Sequence, residues 1–390
     1  MPRGYKAYKS GKDDFVMDIR KQIGNAQRIV VKVGTSTLLH PNGKINLYRI
    51  EHLVRELADL SSQGREVVLV TSGAIGVGML RMGLAQRPES PQEKQALAAV
   101  GQVQLMHLYD KFFTEYGQVA GQVLLTKENF ANHSQYINGR NTIMTMLKNG
   151  VLPVINENDA VTIAEVKIGD NDTLSATVAA MVDADVLIIL SDIDGVYDAN
   201  PQTHPDAKLL HEISEITQAV EQLAGGAGSH VGTGGMATKI EAAKIAVASG
   251  VTMFIASGSE NGILRAILQG EKVGTVFPPR PAHLRARKGW LAFGRRISGV
   301  LFVDDGCVAA LKAGSSLLAA GITGTEGNYA AGSTVRVLTK DYQEIARGTI
   351  NYAAETIDKI KGRKTSDFAQ LIQGELHDEV IHRDNMVLMI

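Results

Sequence analysis

Two lysines in this sequence lie where they could bind phosphate. Lys32 is near the end of the apolar run 28–33 and two residues before Gly34, and Lys239 directly follows the glycine-rich stretch 232–238. Glycine lets backbone N–H groups approach an anion closely, and a lysine in the first turn of a helix is unfavourable unless an anion offsets it. Both positions therefore indicate an anion site, although Lys32 could instead be an edge lysine that keeps its ammonium group in water.

Two segments rich in amide and carboxylate side chains, 156–159 and 169–172, each adjoin an apolar element. Turns also use Asn and Asp, but this density exceeds what turn chemistry requires. Such groups can hold a ligand that carries both an ammonium group and carboxylates. Asp172 could pair with the two lysines, or it could cap a helix that begins near Thr173.

Two further turns carry hydroxyl groups directly after predicted strands. The segment 71–78 can present backbone N–H groups and Ser72 to a carboxylate or phosphate, unless it is simply a tight turn. Ser191 and Asp192 can contact the phosphate or ribose of a nucleotide. No Walker A motif and no protein-kinase motif is present. Paired lysines, glycine-rich turns and one carboxylate suit phosphoryl transfer, because its catalysis consists mainly of positioning and charge neutralisation.

Short β-branched runs alternate with helical patterns along most of the chain, which is typical of a parallel sheet covered by helices on both faces. Between the first two runs, apolar residues repeat at the helical period from Ile50 to Leu60, and Gly64 is a suitable C-cap. The pattern predicts an α/β fold, an αβα sandwich with a mainly parallel central sheet. The predicted strands are 28–33, 66–70, 119–125, 151–155, 186–190 and 251–255.

A proline-rich joint, 277–281, separates this part from a small β-rich module. We predict short strands in the module at 299–303, 307–311, 334–338 and 344–350. The predicted organisation is an N-terminal extension (1–24), a catalytic domain (25–278), a linker (279–296) and a C-terminal domain with its tail (297–390).

The composition excludes several classes of protein. The 390 residues contain 40 Lys and Arg against 41 Asp and Glu, and this balance argues against a surface built for nucleic acid. One cysteine, Cys307, forms no intrachain disulfide, so a reducing compartment is expected. No apolar stretch approaches the roughly 20 residues of a membrane span. We therefore expect a soluble cytoplasmic protein without a membrane partner.

The ordered motifs resemble those of the amino acid kinase family over about residues 28–270, and the C-terminal part resembles a PUA domain. The motifs that carry the first resemblance are Val-Lys-Val-Gly-Thr-Ser (31–36), Thr-Ser-Gly-Ala-Ile-Gly (71–76), Ile-Asn-Glu-Asn-Asp-Ala-Val (155–161), Gly-Asp-Asn-Asp (169–172) and Gly-Thr-Gly-Gly-Met-Ala-Thr-Lys (232–239).

The resemblance implies a role for each candidate site residue. The residues implied to bind the amino-acid substrate are Ser72, Asp159, Asn171 and Asn156. The residues implied to bind ATP are Lys32, Gly34, Ser191, Asp192, Thr233, Gly234, Gly235, Met236, Ala237, Thr238 and Lys239. Lys32, Lys239 and Asp172 are implied to be catalytic, with Asp172 organising the two lysines. No protein metal site is implied, because Mg²⁺ is expected on the ATP phosphates.

The implied reaction is attack by the γ-carboxylate of L-glutamate on the γ-phosphorus of ATP, which is the first step of proline biosynthesis. Lys32 and Lys239 would stabilise the charge that develops on the transferred group. A carboxylate is already ionised at pH 7, so the reaction needs no general base. The resemblance also implies feedback inhibition by proline, a homo-oligomer (dimer or tetramer), and hand-over of the product to glutamyl phosphate reductase.

Two alternatives remain open from the sequence. Other members of the family act on aspartate, acetylglutamate or a nucleoside monophosphate. Only the region 156–172 distinguishes between these acceptors in the sequence. RNA binding through the PUA-like domain is the second alternative. Residues 283–390 contain 14 Lys and Arg against 12 Asp and Glu, a net charge of +2 that is small for a nucleic-acid surface.

Overall fold

The computed structural model describes residues 19–162, 171–201, 203–223, 235–279, 297–363, 367–371 and 377–389. The strands of the N-terminal domain are β1 (Arg28–Val33), β2 (Glu66–Val70), β3 (Ala120–Leu125), β4 (Leu152–Glu157), β5 (Val186–Ser191), β6 (Val196–Tyr197), β7 (Leu209–Leu210), β8 (Thr252–Ser257) and β9 (Thr275–Phe277). Its helices are α1 (Ile19–Ile23), α2 (Thr35–Leu38), α3 (Leu47–Ser62), α4 (Ala74–Met82), α5 (Pro91–Glu115), α6 (Lys127–Ala131), α7 (His133–Lys148), α8 (Asn171–Met181), α9 (Gln218–Leu223), α10 (Met236–Ala248) and α11 (Ile263–Leu268).

Seven of these strands form one sheet in the order β3-β4-β2-β1-β5-β8-β9. Every pairing in it is parallel except that of β8 with β9. The six parallel strands therefore end at the same edge, and ligands of open α/β sheets bind beyond that edge. Lys32, Ser72, Asn156 and Ser191 all lie at or just after strand ends there.

Alternate residues of the strands enter two separate hydrophobic clusters. Val30 and Val68 face a cluster that includes residues of α8 and α10, whereas Val31 and Leu69 face a cluster with residues of α3 and α5. Strands buried on both faces read as continuous apolar runs, which is why their sequence shows no alternation. The αβα sandwich with a mainly parallel sheet is confirmed.

The segment 71–78 is not the continuous turn that we expected. Gly73 has a φ of 89° and precedes α4, so Gly76 and Gly78 lie inside a helix. An ideal Cβ on Gly78 would lie 2.0 Å from the carbonyl oxygen of Leu97, and one on Gly101 would lie 1.8 Å from that of Ala74. These glycines allow α4 and α5 to touch through their backbones.

We expect Gly101→Ala to destabilise the protein by about 3 kcal/mol, because the added methyl group would overlap backbone atoms that cannot move independently. Gly139→Ala in α7 is the matched control, since its Cβ would approach only the Leu125 side chain, at 3.9 Å. Thermal unfolding monitored by circular dichroism should show a lower Tm for Gly101→Ala only. Equal Tm values for the two variants would contradict the close helix contact.

The C-terminal domain has its own sheet, in the order β11-β10-β12-β13-β14. Its strands are β10 (Ile297–Val303), β11 (Ile322–Glu326), β12 (Thr334–Thr339), β13 (Glu344–Thr349) and β14 (Met386–Leu388). Its helices are α12 (Asp305–Lys312), α13 (Ala354–Ile360) and α14 (Phe368–Leu371), with single 3₁₀ turns at Ala319–Gly321 and Arg383–Asn385. Most of the linker expected at 279–296 falls outside the described residues.

One predicted strand of this domain is wrong. Residues 307–311 belong to α12, and the Asp304 side chain accepts a hydrogen bond of 2.7 Å from the Cys307 backbone N–H. Asp304 is a good N-cap, and this local signal outweighs the β-propensity of a short apolar run.

Burial raises the pKa of the Cys307 thiol to about 11, so the group stays protonated at neutral pH. Among the helices of the described residues, none has the length and apolar character needed to cross a membrane.

Candidate active site

Two buried lysines meet one buried carboxylate beyond the carboxyl edge of the sheet. Lys32 Nζ lies 2.5 Å from Asp172 Oδ1, and Lys239 Nζ lies 3.1 Å from Asp172 Oδ2. The exposed fractions are 4% for Lys32, 5% for Lys239 and 0% for Asp172. Lys32 is therefore not an edge lysine, because β1 is the central strand of seven. The structure thus brings together the three residues that the sequence predicts to converge.

Three elements bring these groups together. The side chain of Lys32 in β1 points to the same face of the sheet as Val30, and α8 and α10 pack on that face. Asp172 is the second residue of α8 as described, and Lys239 is the fourth residue of α10. Asp172 was a possible N-cap of a helix starting near Thr173, but the helix already includes Asn171. Its carboxylate is directed at the lysines rather than at its own helix.

The charges of the cluster determine the protonation of Asp172. Burial by itself would raise the pKa of the Asp172 carboxyl, but the charges and hydrogen bonds of Lys32 and Lys239 outweigh burial and hold the pKa below its ordinary value. Asp172 is therefore ionised at neutral pH. Two ammonium groups against one carboxylate leave these three residues with an excess of one positive charge, which favours an anionic ligand.

A second cluster, made of amide and hydroxyl groups, adjoins the first. Asn171 Nδ2 lies 2.9 Å from Ser72 Oγ, 3.0 Å from Asn156 Oδ1 and 2.7 Å from the Thr71 carbonyl oxygen. Asn156 and Ser72 are buried, with exposed fractions of 2% and 8%. Since Asn171 and Asp172 are neighbours in α8, one helical turn faces both the amide cluster and the lysines.

The other candidate residues lie around these two clusters. Asp159 is partly exposed in the turn after β4, and its expected substrate contact stays a prediction. Ser191 ends β5, and its hydroxyl donates to the carboxylate of Asp192 at 2.9 Å. Gly34 precedes α2, and an ideal Cβ there would lie 3.8 Å from Lys32 Nζ. A side chain at this position would therefore begin in van der Waals contact with the ammonium group.

The first turn of α10 completes the arrangement. Gly235 is its N-cap, Met236 and Ala237 begin the helix, and the Thr238 hydroxyl lies 3.1 Å from Asp172 Oδ2. Thr233 and Gly234 lie outside the described residues, as do Gly169 and Asp170. Within the described ranges, no group of three His, Cys, Asp or Glu side chains is placed to hold a metal ion.

Sequence reasoning missed Gln102, which is buried in α5 and accepts a hydrogen bond of 2.8 Å from Asn156 Nδ2. A signal was present in the sequence. Ala98, Gln102, Leu105 and Tyr109 follow one face of a helix at the 3.6-residue period, and a glutamine on an otherwise apolar stripe indicates a buried polar contact.

A cleft of about 420 Å³ lies elsewhere, between α10 and the C-terminal domain. Two ion pairs line it, Lys244 with Glu221 at 2.8 Å and Arg347 with Glu344 at 2.5 Å. None of the residues that the sequence singled out lines this cleft. The candidate site residues therefore belong to the lysine and amide clusters, not to this cleft.

Comparisons with known proteins show the family to which the chain belongs. The model of the amino acid kinase family matches residues 27–257, and that of the PUA domain matches residues 299–372. Glutamate 5-kinase from Caldanaerobacter subterraneus subsp. tengcongensis is 52% identical over 93% of this chain and 98% of its own length. Glutamate 5-kinase from Moorella thermoacetica is 49% identical over 95% of this chain and 99% of its own length.

A relative from Syntrophotalea carbinolica, also a glutamate 5-kinase, is 44% identical over 94% of this chain and 98% of its own length. Among solved structures, that of UMP kinase from Bacillus anthracis can be superposed on this one with a TM-score of 0.46 and 18% sequence identity. The match covers 65% of this chain and 97% of the UMP kinase chain.

Proposed function

Because this chain belongs to the amino acid kinase family, in its glutamate 5-kinase branch, we propose that it transfers the γ-phosphoryl group of ATP to the γ-carboxylate of L-glutamate. The products are L-glutamyl 5-phosphate and ADP. The observation that carries the proposal is the buried Lys32–Asp172–Lys239 cluster beside an amide cluster that shares the start of α8.

The two ammonium groups are suited to the charge of the transferred phosphoryl group. Asp172 holds Lys32 and Lys239 through different carboxylate oxygens, so their Nζ atoms stay close together although both carry a positive charge. Each can donate to phosphoryl oxygens while it keeps its contact with Asp172, because an ammonium group has three donors. Such donors are fixed before the reaction and need no reorganisation during it.

The amide cluster is suited to the acceptor. Asn171, Asn156 and Ser72 offer amide and hydroxyl groups in a region that is largely removed from water. Because Asn171 precedes Asp172 in the chain, an amino acid held by the amide cluster lies next to the lysines. Its γ-carboxylate is ionised at neutral pH and can attack in line without a general base.

We also propose that Mg²⁺ enters with the nucleotide. Mg²⁺ is commonly bound by substrate phosphates and one or two carboxylates, and the exposed Asp192 after β5 is a suitable carboxylate. When bound, the ion neutralises phosphate charge and so assists the transfer.

The family also suggests three properties of the protein in the cell. We propose that proline inhibits the enzyme at the glutamate pocket, since proline carries the same α-carboxylate and a cationic nitrogen. We further propose that the chain forms a homo-oligomer in the cytoplasm, where ATP is available. The acyl phosphate product is labile, and direct consumption by glutamyl phosphate reductase would protect it from hydrolysis.

The proposal is tested by Asp159→Ala in an assay of ADP release with L-glutamate, L-aspartate and UMP as acceptors. We expect activity with L-glutamate and a glutamate KM that Asp159→Ala raises by about 10-fold or more, because a charge-assisted hydrogen bond to the substrate is lost. The ATP KM should change much less. Asp206→Ala, which alters an exposed aspartate, is the control. Activity of the unaltered protein on UMP or aspartate but not on glutamate would overturn the proposal.

A further inference from the structure

Gln102 has a buried amide group that the lysine and amide clusters described so far leave unexplained. Its exposed fraction is 8%. Its side chain reaches the amide cluster, because Gln102 Oε1 accepts a hydrogen bond of 2.8 Å from Asn156 Nδ2. The residue is therefore in direct contact with the acceptor side of the candidate active site.

The hydrogen bonds of Asn156 fix which end of the Gln102 amide faces it. Asn156 Oδ1 accepts from the Glu157 backbone N–H at 2.9 Å and from Asn171 Nδ2 at 3.0 Å. The NH₂ group of Asn156 must then face Gln102, so Gln102 must present its oxygen. This arrangement leaves the Gln102 NH₂ group for another acceptor.

That NH₂ group is buried and has no hydrogen-bond partner among the residues that the structure describes. Leaving a buried donor unpaired is costly, and native proteins rarely do so without a reason. The group is an amide donor, so it fits a carboxylate oxygen and not an ammonium group.

The backbone around Gln102 is held firmly against the segment that carries Ser72. Gly101, its neighbour, contacts α4 so closely that a Cβ would overlap the Ala74 carbonyl oxygen. Further along α5, the Tyr109 hydroxyl lies 2.7 Å from Thr71 Oγ1. These two contacts fix α5 against residues 71–74 and so place Gln102 beside the pocket.

We propose that Gln102 binds the substrate by donating its amide N–H to the α-carboxylate of L-glutamate. This inference rests on the proposed function. The α-carboxylate is the appropriate partner because the γ-carboxylate must lie near Lys32 and Lys239. Along the hydrogen-bonded series Gln102–Asn156–Asn171, Gln102 is at the end away from Asp172 and its lysines.

The test compares Gln102→Glu and Gln102→Met with the unaltered enzyme. Gln102→Glu keeps an oxygen for Asn156 Nδ2 but replaces the free donor by a second oxygen, whereas Gln102→Met removes both polar groups. We expect either change to raise the glutamate KM by about 10- to 100-fold, as for loss of a hydrogen bond to a charged group, and to alter the ATP KM less than twofold. Gln104→Glu, on the same helix, should change neither value.

A second measurement identifies the carboxylate. 4-Aminobutanoate is glutamate without its α-carboxylate, and its inhibition constant against glutamate should change less than twofold in Gln102→Glu. An unchanged glutamate KM in both Gln102 variants would overturn the inference, as would an equal rise of the glutamate KM and the 4-aminobutanoate constant. If the unaltered chain does not phosphorylate glutamate, the proposed function itself fails, so the two failures are distinguishable.

Discussion

Lys239→Met should lower kcat by about 1000-fold while the protein remains folded. The side chain is one of two buried ammonium groups that we propose to bind the transferred phosphoryl group, and loss of one fixed donor at a developing charge typically has an effect of this size. The change also removes the excess positive charge, because Lys32 and Asp172 alone form a neutral pair. The measurement is single-turnover phosphorylation of glutamate at saturating ATP.

Lys244→Met is the control for this prediction. Lys244 lies on the same helix, one turn and a half beyond Lys239, but it pairs with Glu221 and Glu241 at the domain cleft. Its replacement should leave kcat within about twofold. If Lys239→Met retained more than a tenth of the normal kcat, the role that we propose for this ammonium group would be wrong.

Asp172→Asn should both inactivate the enzyme and destabilise it. Without the carboxylate, the ammonium groups of Lys32 and Lys239 remain buried and repel each other, and breaking a buried ion pair on one side typically costs about 3–5 kcal/mol. MgATP supplies a new counter-charge, so it should raise the Tm of Asp172→Asn more than the Tm of the unaltered protein. Thermal unfolding with and without MgATP measures both effects.

Asp183→Asn is the matched control, because Asp183 forms a partly exposed ion pair with Arg140 at 2.6 Å. Such surface pairs contribute less than about 1 kcal/mol. Equal Tm values for the two variants without nucleotide, or equal shifts on adding MgATP, would contradict the charge cluster that we describe.

The low pKa of Asp172 adds a pH dependence to the same prediction. A carboxyl whose pKa is lower in the folded state than its ordinary value of 3.8 stabilises the fold at every pH above that value. The contribution is lost as the pH falls below 3.8 through the folded-state pKa. Between pH 7 and pH 4 the stability difference between the unaltered protein and Asp172→Asn should therefore stay nearly constant, and it should shrink below that range.

Much of the fold could be predicted because the strands are long apolar runs and each is followed by a turn. The predicted strand at 28–33 and the helix ended by Gly64 agree with β1 and α3, for example. Lys32 and Asp172 could be singled out because charged residues next to apolar runs require partners. These signals are local, so a single sequence carries them.

The features that could not be predicted depend on contacts between distant segments. Gln102 has a function only because α5 packs against the segment after β2, and this contact is made by Gly78 and Gly101. Edge strand β9 pairs antiparallel with β8, although its three residues adjoin the proline-rich joint. The helix at Asp305–Lys312 was missed for another reason, because five apolar residues fit a strand and a helix equally well.

The distances along the chain between Lys32, Asp172 and Lys239 have a consequence for biosynthesis. Asp172 and Lys239 are 67 residues apart, and Lys32 lies in the first strand. A nascent chain that has emerged from the ribosome only through β5 can pair Lys32 with Asp172, and that pair is electrically neutral. The excess positive charge that we propose to attract a triphosphate therefore arises only after α10 has emerged and has brought Lys239 to Asp172.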